Sequence, residues 1–319
     1  MNLTIWFWKY IKYITEKLTT QRKNSLPLTT QGTIISETVT ATNNIRRKNE
    51  MSEARTFKIF QGSVIGREHT RLWRNNQDGL RTGSTKIAGK LYHFGIVCDG
   101  CSGGENNEVG AKLVSAYLCS EIPMMLMAGS SIGDIPDALF NRCVGYLRSI
   151  ASLTIIGDPR QSIQFIKDHL LCTILGFIMD DEIVVIFSAG DGTIIVDDAI
   201  TRIDQDNRPS YPAYSLIDRQ FINLQGGELP TSFETTFIYL DDIKKFAICS
   251  DGVTDAAVPY LWGHNNPLGL QRKLKNIARG SESFGDDCTV IAVELIPNEP
   301  VTGVIAETIE AAEGVGEIS

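Results

Sequence analysis

From Phe57 onward, apolar positions gather into short runs separated by glycine, aspartate and asparagine. Phe57–Ile65 and Ala88–Cys98 carry strand-forming residues. Val109, Leu113, Ala116 and Tyr117 recur at helical spacing, and Leu139, Cys143, Leu147 and Ile150 repeat that spacing with Pro136 in the first turn. Strands then dominate, at Leu171–Ile178, Ile183–Ser188, Thr193–Val196, Thr235–Leu240 and Phe246–Ser250. Asp180-Asp181 suits a tight hairpin between the first two of these. Leu268–Ala278 reads as a further helix and Cys288–Leu295 as a last strand. Blocks of strands separated by a pair of helices predict an α+β fold of antiparallel sheets covered by helices, not alternating βαβ units.

Both ends of the chain lack this pattern. Residues 1–54 are expected to be an N-terminal extension outside the globular domain of 55–296, and 297–319 an acidic, turn-rich flexible tail. Ile5–Tyr13 is aromatic and basic. It reads either as a poorly ordered tail, with Met51 as an alternative start, or as an interfacial helix giving membrane contact through residues 1–15. No run reaches the roughly 20 apolar residues of a membrane span, and no signal-peptide cleavage pattern opens the chain.

Composition narrows the partners. With 30 basic and 38 acidic residues the formal charge is −8, which argues against nucleic acid. Seven cysteines, several inside apolar runs, suit reduced thiols and a cytoplasmic location. Cys98 and Cys101 have zinc-knuckle spacing, but no second pair of ligands accompanies them, and strand alternation sends Cys98 into the core.

The chemistry lies in aspartates at strand ends. Phe94–Cys98 runs into Asp99-Gly100, Val185–Ser188 into Gly190-Asp191-Gly192, and Phe246–Ser250 into Asp251-Gly252. Asp286-Asp287 stands immediately before the last strand. One Asp-Gly after a strand is ordinarily a turn. Several carboxylates at one rim would repel each other, and a hard divalent cation such as Mg²⁺ or Mn²⁺ removes that conflict.

In order, Gln77-Asp78, Asp99-Gly100, Gly190-Asp191, Ser250-Asp251-Gly252 and Asp286-Asp287-Cys288-Thr289-Val290 resemble the motifs of the protein phosphatase 2C family. The likeness runs from about Gly62 to Leu295. Gly66-Arg67-Glu68-His69 and Asp206-Asn207-Arg208-Pro209 resemble its bacterial branch, the latter in place of a variable flap. The resemblance implies a four-layer α-β-β-α sandwich, two antiparallel sheets flanked by helices. It implies a metal-dependent phosphatase acting on phosphoserine and phosphothreonine with two Mn²⁺ or Mg²⁺ ions, and a third in bacterial members.

By that resemblance, Asp99 would bridge two metals, Asp251 and Asp286 would complete the first site, and the Gly100 carbonyl would serve the second. Asp78 would orient water on the metals, and Asp191 with Asp251 would hold the third. A water between two cations would attack phosphorus in line, without a phosphoenzyme. The implied partners are a phosphorylated protein and a cognate serine/threonine kinase. The pattern departs from eukaryotic members at three positions, one of them Gln77 in place of the Glu before the early Asp. Cys101 replaces their general-acid His, and Trp73 replaces their phosphate-binding Arg, leaving Arg71, Arg74 and His69 as candidates for substrate binding. These departures keep a second reading open, a catalytically weak phosphatase-like module that binds metal or phosphopeptide.

Overall fold

Strands that are apolar at successive positions must be covered on both faces, and the computed structural model meets that demand with two stacked sheets. It describes residues 55–154, 159–205, 209–218, 229–280 and 283–296. The expectations for residues 1–54, the 297–319 tail and Asp206–Arg208 lie outside the described residues.

The strands are β1 (Thr56–Val64), β2 (Gly79–Ile87), β3 (Lys90–Cys98), β4 (Ile174–Met179), β5 (Ile183–Ala189), β6 (Gly192–Val196), β7 (Ala199–Ile203), β8 (Glu234–Tyr239), β9 (Lys245–Cys249) and β10 (Cys288–Ile296). The helices are α1 (Arg67–Arg71), α2 (Glu108–Met127), α3 (Ile135–Thr154), α4 (Pro159–His169) and α5 (Gly269–Ala278). One five-stranded sheet has the order β1-β10-β9-β6-β7 and the other β2-β3-β4-β5-β8. Every strand pairing is antiparallel.

Period-two alternation divides each strand between two cores. Val97, Leu175, Phe177, Phe246, Ile248 and Ile291 fill the space between the sheets, where the Phe177 and Phe246 rings meet edge to face at 5.1 Å. Their neighbours Ile96, Cys98 and Ile174 face outward, toward α2, α3 and α4. On the other sheet Cys249, Cys288, Val290 and Ala292 pack with Leu270 and Leu274 of α5. The layers are therefore helix, sheet, sheet, helix, as the sequence predicts.

Several details differ from the sequence reading. The run beginning at Ala88 is the second half of a hairpin. Ala88 and Gly89, at φ 51° and 87°, form its two-residue turn, and the polar β2 precedes them. The strand placed from Leu171 starts at Ile174, and α4 and β7 are additional elements. The helix at 108–127 is correct but its buried face is not the expected one. Val109 and Leu113 are exposed, while Ala111, Val114, Leu118 and Ile122 are buried. This helix is also long and apolar enough to cross a membrane, contrary to the expectation that no such segment exists. Its apolar content is explained by the sheet it covers, since Val114, Leu118 and Ile122 have no exposed surface. The Asp180-Asp181 hairpin forms as expected: Asp180 Oδ1 accepts the N–H groups of Glu182 and Ile183 at 2.8 and 2.9 Å.

Candidate metal centre

Four chain segments reach the same end of the sandwich. Asp78 precedes β2, Asp99 follows β3, Asp251 follows β9 and Asp286 precedes β10. Antiparallel pairing brings Asp78 beside Asp99 in one sheet and Asp251 beside Asp286 in the other, because Gly79 lies opposite Cys98 and Val290 opposite Cys249, and the stacking of the sheets joins the two pairs.

Asp78 is the floor of the group, with 5% of its surface exposed. The Ser250 hydroxyl lies 3.0 Å from its Oδ2, while its Oδ1 is buried without a hydrogen-bond partner. Burial, first, and the charges of Asp287 and Asp251 push its carboxyl up to about 8, against the hydroxyls of Thr289 and Ser250, which favour the ionised form. Asp99 is raised well above the usual carboxylate range, by burial and then by Asp78, Asp251 and Asp286. Its backbone is fixed by Thr173, whose N–H donates to the Asp99 carbonyl at 2.8 Å. Asp251 is also raised, by partial desolvation first; a hydrogen bond with Asp99 opposes this and the charge of Asp286 adds to it. The four carboxylates the sequence nominated thus act on one another.

The adjacent pair Asp286 and Asp287 divides its work. Asp286 has 48% of its side chain exposed at the mouth of the group. Asp287 is buried, and its two oxygens accept the N–H of Gly66 at 2.7 Å and that of Gln77 at 2.6 Å. His69 Nδ1 stands 2.9 Å from Asp287 Oδ2 and 3.6 Å from Asp286 Oδ1. His69, Asp286 and Asp287 bring potential metal-ligating atoms within 4.8 Å of one another. Because Asp287 is already occupied by two backbone donors, this trio is a clamp that fixes the loop before β2, with Asp286 as its available ligand. Sequence reasoning did not single out Asp287. Its signal was the doubled aspartate, in which only one residue can face a site while the chain turns into a strand.

Glycines let these loops approach. A Cβ on Gly252 would lie 2.1 Å from the Asp287 carbonyl oxygen, and one on Gly100 2.7 Å from that of Gln77. Gly100 also stands opposite Cys172, held there by the N–H of Cys101 donating to the Leu171 carbonyl at 3.0 Å and that of Thr173 donating to the Asp99 carbonyl.

The other nominated residues are placed differently. Asp191 lies at the β5–β6 turn and accepts the Gln205 N–H at 3.1 Å. Arg71 is solvent-exposed and paired with Glu68 at 2.7 Å. Arg74 lines a cleft of about 530 Å³ together with Glu68, His69, Leu72, Ser102, Gly285 and Asp286. His69 lines it as well, but is buried and turned toward Asp287. Cys101 is half-buried, and Tyr211 hydrogen-bonds to it from the segment following β7.

Comparison with known proteins agrees with this geometry. A family model described as Protein phosphatase 2C matches residues 65–283, which is most of the chain. The chain belongs to the protein phosphatase 2C family. Membership makes it a protein phosphatase, and the matched residues include Asp78, Asp99 and Asp251. No curated protein shows significant similarity to it. Among solved structures it resembles the serine/threonine phosphatase Stp1 of Staphylococcus aureus, with 16% identity over 76% of this chain and 96% of that one, at a TM-score of 0.52. A bacterial serine phosphatase matches with the same identity and TM-score, over 77% of this chain and 100% of the other. At such identity these structures speak for the fold alone.

The residues fit divalent cations. An unpartnered buried carboxylate oxygen on Asp78, and three carboxyls driven upward in part by one another, form an all-oxygen donor set that a hard cation relieves.

Proposed function

We propose that this protein is a metal-dependent serine/threonine phosphatase that hydrolyses phosphoserine and phosphothreonine in protein substrates with Mn²⁺ or Mg²⁺. The observation that carries the reading is the convergence of Asp78, Asp99, Asp251 and Asp286, where burial and then the neighbouring carboxylate charges raise the proton affinity of Asp78, Asp99 and Asp251. Divalent cations there supply positive charge for the phosphoryl oxygens and acidify water. Asp99, Asp251, Asp286 and the Gly100 carbonyl would hold the cations, with Asp99 at the centre of the mutual interactions. Asp78, set deep and accepting a hydrogen bond from Ser250, would orient the water that such cations acidify. Arg74, in the cleft beside Asp286, grips the phosphate in place of the arginine that Trp73 replaces.

The substrate's kinase is the natural partner, and the reduced thiols suit a cytoplasmic setting. The deciding experiment measures phosphate release from a phosphothreonine peptide with Mn²⁺ and with chelator. Release with Mn²⁺ alone is expected; equal rates in both would overturn the metal mechanism. Release too slow to form a steady state, despite Mn²⁺ binding seen by calorimetry, would favour the weak-module reading that Cys101 and Trp73 left open.

A further inference from the structure

Helix α1 ends in a turn that ordinarily calls for glycine. The Arg74 N–H donates to the His69 carbonyl at 2.9 Å and the Trp73 N–H to that of Thr70 at 3.3 Å, the paired bonds of a Schellman cap. The residue at its left-handed position is Trp73, at φ 57°. A bulky side chain is disfavoured there, and Asn or Gly would hold the same turn with less strain. The indole gains nothing from the fold in return, because 96% of Trp73 is exposed. Strain and full exposure coincide in a residue that stability alone would not select.

Its position supplies the missing reason. Trp73 stands between Leu72 and Arg74, both of which line the cleft beside Asp286. Leu72 is itself 54% exposed, so apolar surface begins in the cleft, and the exposed Trp73 is its next neighbour along the chain. The cap fixes the backbone from which the indole projects into solvent, so the turn itself has little freedom left to lose when a ligand packs there.

Resting on the phosphatase reading above, we propose that Trp73 and Leu72 are a specificity element that packs against a large apolar side chain neighbouring the phosphorylated residue of the substrate. The occupant is an extended phosphopeptide whose phosphate enters the cleft while its neighbouring residue crosses Leu72 and Trp73. An aromatic surface of this kind prefers such a residue by about fivefold over a small polar one.

The test compares two phosphothreonine peptides with Mn²⁺, one flanked on both sides by Leu and the other by Ser. The parent's kcat/KM ratio, Leu over Ser, is expected to be about five. Trp73→Asn, which suits the left-handed turn, is expected to bring the ratio within about twofold of one with no loss of melting temperature, and Trp73→Phe to retain most of it. A parent ratio near one, or an unchanged ratio in Trp73→Asn, overturns the proposal while leaving the phosphatase reading intact. Absence of Mn²⁺-dependent turnover of either peptide overturns both.

Discussion

Strands β3 and β4 carry acidic groups at both ends, and the two ends are built on opposite principles. At the hairpin end, Lys90 Nζ lies 2.9 Å from Asp180 and 3.3 Å from Asp181. These carboxylates raise the lysine's proton affinity, although its burial acts the other way as the largest single influence. At the far end, Asp99 meets Asp78, Asp251 and Asp286. The cation acting on Asp251 is Arg202, whose guanidinium is already committed to Asp255 and the Val253 carbonyl. One end is closed by a lysine set between its two carboxylates. The other gathers four carboxylates, as a site for an incoming cation must.

The contrast is tested most severely by paired substitutions. Asp99→Asn should lower Mn²⁺-dependent turnover on the order of 10²–10³-fold while the circular dichroism spectrum stays that of the parent. Asp180→Asn should leave turnover within about twofold, because it lies at the other end of the sheet. Similar losses from both would show that stability, not chemistry, links them to activity.

A second test concerns the clamp. Asp287→Ala strips the acceptor from two buried N–H groups, at roughly 1–3 kcal/mol for each donor left bare. Its urea midpoint should therefore fall far more than that of Asp286→Ala, whose side chain is half exposed. Equal shifts in urea titrations would erase the division of labour between the two neighbours.

The third test uses pH. Asp78, at about 8 in the folded protein against 3.8 when exposed, binds more protons folded than unfolded between those values. Without metal, stability must fall as pH rises through that window, and Asp99 and Asp251 act in the same direction. With Mn²⁺ the ionised carboxylates are the ligands, so the gain from metal should grow with pH. Calorimetry with chelator should show a lower melting temperature at pH 8 than at pH 5, and with Mn²⁺ the metal's increment should be larger at pH 8. Asp251→Ala should lose most of that increment yet leave the metal-free protein no less stable. A metal-free melting temperature that rises over this range would remove the rim repulsion from the account.

The smallest effect belongs to the closed end. Asp180→Ala removes the acceptor for two N–H groups and the partner of Lys90, and should cost about 1–3 kcal/mol by denaturant titration, independently of Mn²⁺. A metal-dependent loss would tie the two ends together.

Much of this was legible in the sequence because the relevant signals are short and local. Asp-Gly after an apolar run marked three of the strand ends, and buried strands announced themselves as continuous apolar blocks. What escaped was whatever depends on a distant partner. β2, Gly79–Ile87, is polar and glycine-containing, and becomes a strand because β3 pairs along its whole length. The apolar residues of α2 occur around much of the helix, so spacing alone did not decide which face the sheet would cover. Asp287 looked like a duplicate of Asp286 until Gly66 and Gln77, more than two hundred residues earlier, were brought against it.

The same clamp dictates a timetable. Among the described residues β10 comes last in the sequence and yet lies inside its sheet, between β1 and β9. The segment just ahead of it carries both Asp286 and the acceptor for the loop holding Asp78. During synthesis, β1 and the early aspartates must wait on the ribosome, unpaired, until residues 286–296 emerge. Such long-range closure is slow. The nascent phosphatase therefore stays unable to gather its carboxylates until almost all of its domain has been translated, so that assembly of the centre and completion of the sheet are a single late event.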